Sequence, residues 1–229
     1  ELKGGELKED IPEAIKFYSQ AHTLFESTIQ ELGGLLEGMK GARIDASDAT
    51  AVAYRQKLQQ DVRQSQLLSA KAVEERGRSR ASASPERTAD LEAALKMFSD
   101  LYLKEQQLIA VRNYALFYRS NIQASLGRNE DAIDGYQRIA DQEGVDILRP
   151  LQTEATTALV KLLGEQQKFP VAIDRGEKWL AASRPDEQSS NEILELRLEM
   201  AQLKIAWSQE LSSKDSSDRV ASRLVRDTR

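Results

Sequence analysis

His22 is the only histidine of this 229-residue sequence, and there is no cysteine. Thiolate and disulfide chemistry is therefore excluded, and imidazole can supply one metal ligand at most. His22 falls on an apolar helical stripe with no second ligand at a metal-binding spacing, so packing in or beside a core is its expected role. A Gly-rich phosphate loop, a His-Glu-x-x-His run and a nucleophile-elbow serine are all missing from the sequence. Glu195 and Glu199, one helical turn apart, form the best carboxylate pair for a cation, yet arginine and lysine beside them neutralise that face. The expectation is a protein that is not an enzyme and carries no cofactor or metal.

Charge narrows the partners further. Arg76, Arg78, Arg80 and Arg87 lie among serines and could contact a phosphate or an acidic partner. Without interleaved aromatics they make a poor nucleic-acid platform, and a solvated, flexible connector is the plainer reading. A net charge of −5 in mixed-sign order gives no bulk attraction to nucleic acid or anionic membrane. No apolar run approaches the ~20 residues that span a bilayer. Lack of cysteine is compatible with an exported or periplasmic protein and equally with the cytoplasm.

The elements that must position any surviving site are helices. Strict polar–apolar alternation is almost absent, while a 3.6-residue period recurs nearly everywhere. Ile11, Ile15, Tyr18, His22, Phe25, Ile29, Leu32 and Leu36 share one stripe, with Pro12 in the first turn. Asp45–Asp48 offers an N-cap for a second long helix over about 49–75. These two form a long N-terminal hairpin within 1–78, followed by a basic loop over 79–88. Shorter helices are expected at about 86–104, 107–126, 129–142, 149–166, 169–183 and 189–211, with short connections that force antiparallel neighbours. Asp215-Ser216-Ser217-Asp218 resembles a further N-cap, which makes 216–229 the start of another helix that reaches Arg229 with no stop signal. Together with a start at Glu1, that reads as a segment of a longer protein.

Four segments within this pattern read alike. They are Pro12–Tyr18, Glu92–Phe98, Glu130–Tyr136 and Pro170–Gly176, each with a small residue followed by an aliphatic. Ala94 and Ala132 are 38 residues apart, Ala132 and Ala172 are 40 apart, and Ala14 lies 80 before Ala94. Tyr18, Phe98 and Tyr136 each follow their alanine by four positions. A small side chain permits close helix approach and a large one plugs the space beside it.

These segments resemble the second helix of the tetratricopeptide repeat, best at Leu126–Ala140. There the resemblance puts Gly127 at the tight inter-helix turn, Ala132 at the closest contact and Tyr136 in the gap to the next repeat. It covers about 86–183 and departs in its longer period, in the lone small residue Ser120 of the first helix, and in Gly176 where an aromatic is usual. Trp179, three residues on, is expected to fill that space. Core packing is the expected role of Trp179 and Trp207, with an exposed partner anchor as the alternative. The resemblance implies an all-α, right-handed solenoid of αα-hairpins over 89–215. Large exported bacterial proteins with degenerate repeats of this sort look similar overall.

In the register of that resemblance, Tyr114, Phe117, Asn121 and, in the next repeat, Lys161 face a groove that takes a peptide or a helix. Packing of Tyr114 and Phe117 against the preceding hairpin is the equal alternative. The lysine–asparagine–arginine clamp of chaperone-binding relatives is not expected, since aromatics occupy the neighbouring positions. The functional expectation is a protein–protein scaffold or adaptor. Its alternative is a structural element that self-associates by stacking on further repeats or on another copy.

Overall fold

Helix starts and stops follow local chemistry. Asp48 caps α2 (Ala49–Arg78) by accepting a hydrogen bond from the Ala51 amide at 3.0 Å. Ser84 does the same for α3 (Pro85–Lys104), accepting from the Arg87 amide at 3.2 Å, with Pro85 at the first helical position. Between α3 and α4 (Ile109–Ser125), the Glu105 carboxylate accepts from the Gln107 and Leu108 amides at 2.7 and 2.8 Å and from Arg63 Nε at 2.9 Å. Glu105 thus ends α3 through its backbone amide, bonded to Leu101 O, while its buried side chain organises the turn into α4 and ties it to α2.

In the computed structural model, residues 12–40 and 48–227 are described, with side chains for 12–39 and 48–213. The remaining helices are α1 (Pro12–Lys40), α5 (Asn129–Ala140), α6 (Arg149–Glu165), α7 (Phe169–Ala181) and α8 (Asn191–Asp227). A 3-10 turn at Asp146–Leu148 leads into α6. No strand occurs among the described residues. The protein is all-α, and helices pack on their neighbours in the chain, consistent with a helical-repeat arrangement.

Two compact units divide the chain between Gly135 and Tyr136. In the first, α1 packs on α2, α2 on α3 and α4, and α3 on α4. Its core holds Ala70, Val73, Leu91, Ala94, Leu95, Phe98, Leu101, Ala115 and Ile122. In the second, α6, α7 and α8 pack against one another in every pairing. Leu151, Ala155, Leu159, Ala172, Ile193, Leu196 and Met200 are buried there. Ala94, Ala132 and Ala172 are all fully buried. Phe98 and Tyr136, which follow two of these alanines, are buried with them.

The turn after α4 is closed by a pair of hydrogen bonds, Arg128 N to Gln123 O at 2.8 Å and Gly127 N to Ala124 O at 3.0 Å. Gly127 has φ +75°, the left-handed conformation this cap demands.

Three expectations are corrected. The Asp215–Asp218 cap does not start a new helix, because α8 runs unbroken from Asn191 to Asp227. The stretch 79–88 is no loose connector, because Arg80 is anchored to Asp90 and α3 already begins at Pro85. The space at Gly176 is filled by Met200 of α8 and not by Trp179: a Cβ on Gly176 would collide with the Met200 thioether. Ile11, Gly41 and Asp45 lie outside the described residues.

Candidate binding site

Packing of α1 on α2 places the one histidine beside a serine and a carboxylate. His22 Nδ1 is 2.8 Å from Ser69 Oγ, and Ser69 Oγ donates to Glu26 Oε1 at 2.7 Å. Because the hydroxyl has one proton and the carboxylate can only accept it, His22 Nδ1 must carry its own proton and donate to Ser69. A general base needs the reverse polarity. Ser69 is also fully buried, out of reach of a substrate. The trio is a polar tie between two helices.

The arginine-rich stretch serves a similar end. Arg76 donates to Asp90 Oδ1 through Nη2 at 2.6 Å and Nε at 3.1 Å, and Arg80 Nε reaches Asp90 Oδ2 at 2.7 Å. Burial pushes the Asp90 carboxyl upward, but the two guanidinium groups prevail and hold it below its ordinary value. Arg78 pairs with Glu74 at 2.8 Å. No group of three or more His, Cys, Asp or Glu side chains among the described residues could hold a metal ion.

The expected groove residues divide between the units. Phe117 is 8% exposed, so it packs inward instead of facing a groove. Its ring lies 5.8 Å from that of Tyr118, which also meets Phe98 at 5.3 Å and Tyr114 at 6.2 Å. Lys71 Nζ sits 4.6 Å from the Tyr118 centroid. This aromatic cluster belongs to the first unit's interior, with Tyr114 and Asn121 half-buried at its margin. Lys161 belongs to the second unit, exposed on α6 near Glu199 of α8. Burial raises the Glu199 carboxyl, and Lys161 opposes that shift.

A cleft of about 530 Å³ opens in the second unit, lined from the end of α5 through the 3-10 turn to α6 and α7. Its floor is set by Gln152, whose amide donates to Ile139 O at 3.2 Å and Gln142 O at 2.5 Å. Arg149, in the first turn of α6, forms a two-pronged pair with Glu187 at 2.9 and 2.8 Å and lies over the Trp179 ring, 4.4 Å from its centroid. Trp179 is half-buried, and its indole N–H donates to Thr153 Oγ1 at 3.1 Å. Arg175 pairs with Asp141, and Arg184 with Asp146 at 2.5 Å. Lys178 completes the cationic lining and Glu143 the acidic one.

Electrostatics bind this frame firmly. The Arg149 guanidinium, aided by the Arg184 backbone amide, overrides partial burial and draws the Glu187 carboxyl down to about 2. Arg184 lowers Asp146 in the same way. The cleft offers alternating positive and negative groups around one aromatic wall, an arrangement that can pair with a polar chain of either sign.

Sequence reasoning reached Trp179 and missed Arg149, Arg175 and Arg184. A usable signal was present: Arg149–Glu187, Arg184–Asp146 and Arg175–Asp141 are separated by 38, 38 and 34 residues, close to the spacing of the repeated alanines. In the first unit Arg128 pairs with Glu92 at a separation of 36. Opposite charges 34 to 38 residues apart therefore recur as ion pairs in both units.

No helix among the described residues is long and apolar enough to cross a membrane. No protein-family model, curated protein or solved structure matches this chain.

Proposed function

We propose that this chain is a protein-interaction scaffold of the tetratricopeptide-like kind, and that the second unit's cleft receives a peptide segment carrying both acidic and basic side chains. The observation that carries the reading is the placement of half-buried Trp179 as the wall of an open cleft framed by Arg149, Arg175, Arg184, Asp141 and Asp146. Tryptophan and arginine are enriched among the residues that dominate protein–protein binding energy. A rigid helical frame already holds these groups in place, so little ordering remains for the moment of binding. The His22–Ser69–Glu26 trio supports the reading from the other side, since its polarity and burial suit a structural tie.

Selection from a displayed random-peptide library tests this reading. Enriched peptides are expected to mix acidic and basic residues, and Arg175→Ala or Trp179→Ala is expected to weaken them by about tenfold or more, the range of an interface residue that matters. Lys161→Ala, outside the cleft, is the control. Peptides that bind both cleft variants as well as the parent chain would remove the cleft from the account.

A further inference from the structure

Arg112 and Arg119 share one face of α4, two helical turns and about 10.5 Å apart along its axis. Both lie against the ring of Tyr102 on α3, with guanidinium carbons 5.0 and 5.9 Å from its centroid. Each distance is inside the ~6 Å at which an aromatic ring holds a cation. All three residues are half-buried. One ring thus gathers two positive charges at a single place in the first unit.

Neither charge is neutralised among the described residues. The α4 helix contains no aspartate or glutamate. On α3 every carboxylate is already engaged: Glu86 by Ser84, Asp90 by Arg76 and Arg80, Glu92 by Arg128, and Asp100 by Lys104. Glu105, just beyond α3, is held by Arg63 and the turn amides. Arg112 Nε is buried with no acceptor, whereas its Nη nitrogens are not buried.

Two unneutralised cations on one ring repel each other, and an oxyanion within reach of both removes that repulsion while accepting their N–H groups. We propose that Arg112, Arg119 and Tyr102 form a binding site for a dianionic phosphate monoester. Such a group carries close to two negative charges at neutral pH, so it matches the two guanidinium groups charge for charge, where a carboxylate matches one. Its three acceptor oxygens suit two guanidinium forks and one phenol O–H. Contact with Tyr102 already restrains both arginines, so less ordering remains for the moment of binding. The ester is carried by a small molecule or by a phosphorylated side chain of a partner protein. The site uses none of the residues that line the second unit's cleft.

Nuclear magnetic resonance of the arginine Nε–H groups tests this proposal on the whole chain, with O-phosphoserine as the probe and sodium chloride at matched ionic strength as the control. Arg112→Lys and Arg119→Lys assign the two signals. Both signals are expected to shift and saturate together with O-phosphoserine, while Arg87, at the other end of α3, stays in place. Arg112→Gln or Arg119→Gln is expected to weaken binding by about tenfold or more, the range for hydrogen bonds to a charged group. Circular dichroism checks that both variants keep their helicity. Binding is also expected to weaken as pH falls below about 6, where the ester becomes a monoanion. An alanine pentapeptide with a central phosphoserine separates the two sources: tighter binding than O-phosphoserine assigns a partner protein, and equal binding a small molecule. Shifts in the parent chain that never saturate, or that sodium chloride reproduces, overturn the proposal. So does full-strength binding by both glutamine variants.

Discussion

Gln167 stands in the left-handed backbone conformation that Gly127 adopts 40 residues earlier, with φ values of 59° and 75°. Both close the same turn. Lys168 N bonds Leu163 O at 2.9 Å and Gln167 N bonds Gly164 O at 2.8 Å, reproducing the hydrogen bonds around Gly127. The second unit thus keeps the cap geometry without the residue that adopts it most easily. A side chain in that region costs about 1 kcal/mol. Gln167→Gly is expected to raise unfolding stability by roughly 0.5–1 kcal/mol in urea titrations, and Gly127→Gln to lower it by about 1 kcal/mol.

Glycines at helix contacts should respond in opposite directions according to their surroundings. Gly176 meets the buried Met200 side chain, so Gly176→Ala is expected to lose about 1–3 kcal/mol through overpacking. Gly33, inside α1, has nothing within 4 Å of the place a methyl group would take, so Gly33→Ala should gain about 0.5–1 kcal/mol by helix propensity. Paired denaturant titrations check both signs.

The helical plan was legible because periodicity reports which face each helix buries. Predicted and observed spans for α3 to α7 agree within about two residues. Ala94, Ala132 and Ala172 were legible as contact points because a small residue recurring on a buried stripe marks where two helices can approach most closely. The cleft was not, because its pairs join residues 34 to 38 positions apart and become neighbours only through tertiary packing. The sequence left Phe117 open between a groove and the interior because a groove-facing and an inward-facing aromatic share one spacing, and its burial beside Tyr118 favours the interior. The α8 break was misread because Asp and Ser favour caps yet also sit within a helix.

Asp90 carries two guanidinium groups, and its loss leaves both without their main acceptor. Asp90→Ala is expected to destabilise the first unit by about 1.5–3 kcal/mol, the range for hydrogen bonds to a charged group. Proteolysis between α2 and α3 should rise with it, since Arg80 no longer secures that connection.

Acid should weaken the second unit through Glu187. Its carboxyl is drawn from 4.5 to about 2 by Arg149, so its ionised form stabilises the fold above about pH 4.5. That contribution is lost as pH falls from about 4.5 toward 2. Glu154 and Glu199, raised by burial, act in the opposite sense at pH values above 4.5, so the windows are distinct. Glu187→Gln is expected to be less stable than the parent near pH 6, with the gap shrinking across the lower window in pH-dependent melts. A gap that stays constant down to pH 2.5 would rule out this role for Glu187.

Close helix approach through small side chains is most directly tested by comparing Ala93→Leu with Ala94→Leu. The two positions are adjacent on α3, yet Ala93 is exposed and Ala94 is fully buried. Urea unfolding is expected to show a change within about 0.5 kcal/mol for Ala93→Leu and a loss of about 1–3 kcal/mol for Ala94→Leu. Equal, small effects at both positions would contradict the close packing on which this helical array depends.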